Sequence, residues 1–392
     1  MLDMPRVDPA AADQRQAAVR TAVSHARDPR CAATELAAAL RHPQLGFVLF
    51  FVSAEYTLAP LGEALDAAFA GVPISGCTTA GEITPEGYDR GCIVAVGFDA
   101  RYFTVGLALI DELEGFDLVR AQRVTDGLLA EARGQPLPGG EHFALTLLDG
   151  LSSCEEQVLA TLDAALGSIP SFGGSAGDDN RLAHTHVYSA GRFHDQAAVV
   201  VMFTTRLPFE VFTTHHLRPR SEKLVVTHAD RERRRVIELN AAPAADEYAR
   251  LVGCSREALD DEVFARYPLA VRIGDSYFVR SIQRVNDDGS LSFYCAVENG
   301  IVLTAMTPAP ILPDLEAVFD DLTARLGEPE LIIGLDCFLR RLEIESLDRR
   351  QAASALLRRQ RVIGFNTYGE QHHGMHINQT FTGVVLGRPG AG

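Results

Sequence analysis

One short pattern occurs three times in this chain, and any fold must find a place for three copies of it. The copies are Gly76-Cys77-Thr78-Thr79-Ala80-Gly81-Glu82, the shortened Gly173-Gly174-Ser175-Ala176-Gly177-Asp178, and Gly364-Phe365-Asn366-Thr367-Tyr368-Gly369-Glu370. Each joins glycine to a Ser or Thr, then a small residue or Tyr, then Gly and an acid. Short apolar runs precede the first two, Val72-Pro73-Ile74-Ser75 and Ile169-Pro170-Ser171-Phe172, and read as buried strands. Self-similarity on this scale marks a repeated supersecondary unit.

The chain in order supports that unit. Residues 9 to 41 are Ala-rich and show no strand pattern, so they predict one or two helices, broken at Asp28-Pro29. Residues 46–52, 142–148 and 331–335 read as strands. Helices are expected at 61–70, 154–166 and 349–359, each leading to a strand, a glycine loop and a closing strand. Strand, helix, strand, glycine loop, strand therefore recurs three times. This predicts an α/β fold with mixed sheets, in which the first two strands of each unit are parallel. Between the second and third units the pattern changes. Residues 224–227 and 234–239 read as a hairpin whose Arg231, Arg233, Arg234 and Arg235 form a solvated turn and edge. A helix is expected at 244–251, and a second hairpin across Asp287-Asp288-Gly289. Pro308, Pro310 and Pro313 read as a rigid connection. A domain boundary is placed near residue 240.

Charge and cysteine usage narrow the partners. A net charge of −16 disfavours nucleic acid and anionic membrane surfaces, which need clustered Lys and Arg. No apolar run is long enough to cross a bilayer, and the first residues do not read as a secretory signal. Seven scattered cysteines form no CxxC pair, which fits a reducing, cytoplasmic location. The sequence leaves a homo-oligomer open.

The glycine loops suit a small polar molecule. Glycine lets backbone N–H groups approach a ligand, the acid can bind an amine, guanidinium or metal, and a hydroxyl adds one hydrogen bond. The candidate ligand-binding residues are Cys77, Thr78, Gly81, Glu82, Gly174, Ser175, Gly177, Asp178, Thr367, Tyr368 and Glu370. The same residues could instead only shape turns. None of the loops matches a dinucleotide fingerprint or a P-loop. Cys77 is a conceivable nucleophile, but no catalytic triad is discernible. Histidines cluster after the second and third loops: His184, His186 and His194, then His372, His373 and His376. If 181–188 is a strand, His184, His186 and Tyr188 share one face. Such histidines serve ordinary hydrogen bonding or hold a metal or haem.

The loops also carry a family resemblance. Gly76 to Ile83 and Phe172 to Asp179 resemble the marks of the FIST N-terminal domain. Leu239-Asn240 with Pro243 and Tyr248, Gly364 to Glu370, and Asn378-Gln379-Thr380 resemble the FIST C-terminal domain. The resemblance covers roughly residues 45 to 388. It implies an N-terminal helical segment at 1–44, a FIST N-terminal sensory domain at 45–240 and a FIST C-terminal domain at 241–392. It implies a sensory, ligand-binding protein of intracellular signal transduction, not an enzyme, with small ligands such as amino acids. The ending Thr367 to Gln371 and Asn378 to Gly383 is similar to the NosP subgroup, bacterial nitric-oxide-sensing haem proteins. That similarity implies non-covalent haem b, nitric oxide as signal, and output in trans to a histidine kinase or a diguanylate cyclase or phosphodiesterase, often affecting biofilm behaviour. No kinase or GGDEF motif is visible in the chain, in keeping with output in trans. Under this reading His186 is the axial ligand, with His184 and then His194 as alternatives, and Arg181 and Arg192 meet the propionates.

Overall fold

The computed structural model describes residues 17–389 apart from 135, 136, 138, 180 and 275. The first repeat runs β1 (Val19–Ser24), α1 (Pro29–Leu40), β2 (Leu45–Ser53), α2 (Leu58–Ala68), β3 (Ile74–Thr79), a hairpin β4 (Glu82–Thr84) and β5 (Gly87–Asp89), and β6 (Ile93–Asp99). The second copies it as β7 (Phe103–Ile110), α3 (Leu118–Gly134), β8 (Glu141–Leu148), α4 (Glu155–Leu166), β9 (Ser171–Ser175), hairpin β10 (Val187–Ser189) and β11 (Arg192–His194), and β12 (Ala198–Thr205). The third opens with β13 (Phe209–Thr214) and is then interrupted.

The interruption is a separate β-rich insert. It comprises β14 (Leu217–Asp230), β15 (Arg235–Leu239), β16 (Ala242–Pro243), α5 (Ala244–Val252), α6 (Asp261–Arg266), β17 (Leu269–Ile273), β18 (Ser276–Arg280), β19 (Ile282–Val285), β20 (Leu291–Phe293) and β21 (Val302–Pro308). The third repeat resumes as α7 (Ile311–Leu326), β22 (Pro329–Cys337), α8 (Phe338–Ser346), α9 (Arg350–Arg359), β23 (Val362–Thr367), hairpin β24 (Glu370–His372) and β25 (Met375–Ile377), and β26 (Phe381–Gly387). Both ends of the insert meet at one joint, where Ala309 N donates to His216 O.

Among the described residues the repeats build three six-stranded sheets, ordered β1-β6-β2-β3-β10-β11, β7-β12-β8-β9-β24-β25 and β13-β26-β22-β23-β4-β5. The pairs β2/β3, β8/β9 and β22/β23 are parallel, as the helical crossovers require. The short hairpins are exchanged in a ring. That of the first repeat pairs with β23, that of the second with β3, and that of the third with β9. The inner faces of all three sheets meet in one apolar core, with Phe47, Phe98, Phe143, Phe203 and Phe365 among its members. Phe143 and Phe203 stack there at 4.9 Å. Helix pairs cover the outer faces: α1 and α2 over the first sheet, and the apolar stripes of α7 and α9 over the third. The insert has its own core around Leu239, Tyr248 and Phe264.

Several local expectations change. Residues 19–24 form a strand, not a helix, because they complete the first sheet against β6; residues 1–16 of the predicted helical segment lie outside the described residues. Asp28-Pro29 starts a helix instead of breaking one: Asp28 accepts from Arg30 N and Cys31 N, and Pro29 occupies the first helical position. The proline-rich connection runs straight into α7, with Pro313 in its first turn, where a missing N–H costs nothing. Helices α3 and α8 were not foreseen. The glycine motifs begin inside strands, and the turns fall one position before the acid. Gly364 sits in β23 because a Cβ there would lie 1.6 Å from Gly334 O on the parallel neighbour.

Candidate functional site

The hairpin exchange brings all three glycine turns to one junction. Ala80 N donates to Asn366 O and Asn366 N to Gly81 O; Gly177 N donates to Thr78 O; Ser175 N donates to Gly369 O. Gly81 has φ 133, and a side chain there would strike the Arg341 guanidinium, which itself donates to Ala80 O. Gly177 packs its backbone against Ala80, 2.6 Å from where a Cβ would lie.

The acids of the motifs are engaged with the protein itself. Glu82 is fully buried and accepts from Thr79 Oγ1 and Cys92 N; burial pushes its carboxyl up to about 7. Glu370 accepts from Thr380 N and Oγ1 at 3.0 and 2.9 Å, and burial pushes it well above the usual range. Asp178 gathers the N–H groups of Leu182, Ala183 and His184 and accepts from Tyr368 Oη. Thr78 Oγ1 accepts from His186 N, and Thr367 Oγ1 donates to Ser175 O. Gly174 pairs with Glu370 across β9 and β24. Cys77 points into the central apolar core, where burial raises its thiol well above its ordinary value and leaves it inert.

A different constellation lies beside this junction, where the insert docks on the repeats. Glu155 and Glu156 open helix α4, beyond the C-terminal end of β8, and the helix N-terminus favours their charge. Arg234, on the β14–β15 turn, reaches both: its Nη2 lies 2.9 Å from Glu155 Oε2 and 3.0 Å from Glu156 Oε2, while Nη1 donates to Tyr294 O at 2.7 Å. Arg234 is therefore not part of a solvated turn; the two carboxylates draw it inward, whereas Arg231 and Arg233 are exposed as expected. His376 Nδ1 lies 3.4 Å from Glu156, and Ala296 N donates to the same carboxylate at 2.7 Å. Ser175 Oγ donates to Glu155, tying the cluster to the second glycine turn.

The two neighbouring acids are shifted in opposite directions. Burial pushes the Glu155 carboxyl up despite the cations beside it. Burial works against Glu156 too, but its bond to His376 and the nearby Arg234 hold it well below the usual range. Arg234 loses solvation on burial and is nevertheless held firmly charged by both acids. A cavity of about 160 Å³ opens on this cluster, lined by Glu155, Tyr294, Tyr368, His376 and Arg234, with exposed Arg233 and Arg284 also in its wall. The volume is close to the ~150 Å³ that holds a benzene-sized guest. Arg234 Nε and His376 Nε2 are buried with no hydrogen-bond partner. The arrangement offers guanidinium donors for a carboxylate and a carboxyl that can exchange a proton with an amine.

The histidines of the second loop lie elsewhere. His184 is exposed in the segment that Asp178 organises, and the strand begins only at Val187; Asp178 takes the N–H groups a ladder would need. His186 is half-buried with Nδ1 unpartnered, and burial lowers its pKa, so the ring is neutral. Its titratable neighbours are Asp149, Asp195, His184 and Asp178. Arg181 and Arg192 are exposed.

Residues 46–242 match the FIST N domain and residues 244–373 the FIST C domain. The chain belongs to the FIST family. FIST domains are sensory, ligand-binding modules of signal transduction, which accords with a cleft at a joint between two parts of the chain. A comparison with curated proteins gives no match. The matched N region ends within the insert, after β13 has opened the third repeat, and the two FIST regions share sheets through the β4–β23 and β9–β24 pairs. No helix among the described residues is long and apolar enough to cross a membrane.

Sequence reasoning passed over Glu155, Glu156, Arg234 and Tyr294 in the FIST site. Two adjacent acids at a helix start, directly after a parallel strand, were a signal on offer. Arg234 carried none, because 79 residues separate it from Glu155.

Proposed function

We propose that this FIST protein is a receptor for a small zwitterionic or anionic metabolite of the amino-acid class, bound in the cleft between insert and repeats. The reading rests on the buried Arg234–Glu155–Glu156–His376 cluster, of which Arg234, Glu155 and His376 line a cavity of amino-acid size. The exposed Arg233 and Arg284 would draw an anion to the mouth. Arg234 would take the ligand carboxylate, and Glu155 would take its amine. A ligand that satisfies Arg234 in place of Glu155 changes how the insert is held, and this differential affinity is what a signal requires. The output is read in trans by a partner enzyme, a histidine kinase or a cyclic-di-GMP enzyme. The seven unpaired thiols fit a reducing cytoplasm.

The test is calorimetric titration of the full chain with the common amino acids and small dicarboxylates. At least one should bind, and Arg234→Met should weaken it about 100-fold, the usual consequence of truncating a buried charge partner. Undiminished binding in both Arg234→Met and Glu155→Gln would sink the proposal.

One observation favours a second reading, haem held by His186: a neutral, half-buried imidazole whose Nδ1 has no partner. Haem would supply an iron centre able to bind nitric oxide. The surrounding carboxylates Asp149, Asp178 and Asp195 suit propionates poorly, which is why this reading stands second. A sharp Soret band on haem titration, lost in His186→Ala, would put it first.

A further inference from the structure

We propose that His25, Asp89 and Cys92 form a site for a thiophilic divalent cation, zinc by preference, distinct from the ligand cleft. His25 follows β1, Asp89 ends β5, and Cys92 stands just before β6. His25 Nε2 lies 2.8 Å from Asp89 Oδ2, and all three ligand atoms lie within 4.8 Å of one another. Tetrahedral zinc with ligands at about 2.0–2.3 Å holds them roughly 3.3–3.8 Å apart. A shift of about an ångström or less would therefore close the site. Glu82 Oε2, 3.5 Å from Cys92 Sγ, stands beside the fourth position. Imidazole, carboxylate and thiolate together select zinc-like ions over magnesium or calcium. His25 is exposed and Cys92 buried, so the cation has an entry path and a protected thiolate.

Two comparisons within the chain single this cluster out. The first is with the third repeat. There Thr380 stands where Cys92 stands, and its N and Oγ1 both donate to Glu370, as Cys92 N and Sγ donate to Glu82. A hydroxyl therefore meets the needs of the fold at this position. The first repeat instead carries a thiol and sets a histidine and an aspartate beside it. The second comparison is with Glu156, Cys295 and His376, which also converge within metal-binding distance. There Arg234 already occupies the carboxylates, and a cation would meet its charge. Asp89 Oδ1 accepts the Arg90 backbone N–H, but among the described residues no arginine or lysine side chain forms an ion pair with Asp89 or Glu82, so at the first site the positive charge remains to be supplied. A bound cation would fasten the end of β1 to the hairpin that the first repeat lends to the third, because β4 pairs with β23.

Cobalt titration of the metal-free full chain tests this, since cobalt reports thiolate ligation by a charge-transfer band and tetrahedral geometry by its d–d bands. The wild type should take up a single equivalent with both signatures and release it to zinc. Cys92→Thr, which keeps the bond Thr380 makes in the third repeat, should stay folded and lose the charge-transfer band. His25→Ala, at an exposed position, should weaken cobalt at least tenfold. Cys295→Ser should bind as the wild type does. No thiolate band in the wild type, a band retained in Cys92→Thr, or a band lost in Cys295→Ser would overturn the proposal.

Discussion

The glycine junction and the insert cleft are neighbours that share Ser175 and Tyr368, yet they are built on opposite principles. The junction repeats. All three turns contribute, backbone bonds close the ring, and its acids are occupied by Thr79, Thr380 and the 182–184 backbone. The cleft does not repeat. Its residues come from the second repeat, the third repeat and the insert, and two of its buried nitrogens, Arg234 Nε and His376 Nε2, have no partner. Threefold repetition gives each motif acid a partner, and the atoms it leaves over, such as Glu370 Oε1 and Arg341 Nε, are buried inside the junction. Where the insert breaks the pattern, charges are left that a ligand can complete. In this molecule the repeated motif marks the scaffold, and the departure from it marks the place for recognition.

The most severe test of that contrast is Arg234→Met. It leaves Glu156 with His376 and the Ala296 N–H and Glu155 without a guanidinium, and should cost about 3 kcal/mol in urea unfolding, alongside the roughly 100-fold weaker ligand binding. The double variant Arg234→Met/Glu155→Gln should recover part of that loss, because the buried charge is removed with its partner. Gly177→Ala comes next. Its methyl would press on the Ala80 backbone, and a loss of about 2–3 kcal/mol is expected with ligand affinity unchanged in the folded fraction. An affinity that fell more than the stability would break the division between scaffold and site.

Glu155→Gln should divide the two regions in the other direction. Burial keeps this carboxyl above its ordinary pKa of 4.5, so its ionisation opposes folding as the pH climbs past that value. The amide should be no less stable than wild type near neutrality, yet bind the ligand at least tenfold more weakly. The smallest effect is a slope. Glu156 is held below 4.5, so its contribution is complete above that pH and fades as acid protonates it. Unfolding followed from pH 6 to pH 3 should show an acid-side loss that Glu156→Gln reduces; an unchanged slope would mean the cluster does not hold Glu156 as described.

Much of the scaffold was readable. Alternating and continuous apolar runs identified the paired strands of each repeat, and helix-length spacers made them parallel. The strand at 19–24 was hidden by its alanine-rich setting, because its reason for being extended is the exposed edge of β6. The helix at 311–326 was hidden behind prolines that belong to its start. The exchange of hairpins was invisible for a stronger reason: three residues such as Gly87–Asp89 carry no label for the sheet they join, and only the closing of the ring selects it.

By itself, then, the sequence determined a thrice-repeated α/β unit, its glycine turns and its membership of a sensory family, because periodicity and turn chemistry are local properties of the chain. Tertiary structure alone decided that the three turns meet, that the central β-rich stretch is an insert within the third repeat, and that Arg234 faces Glu155 and Glu156. Those outcomes depend on docking across long separations, where burial forces charges to find partners that no neighbouring residue can name.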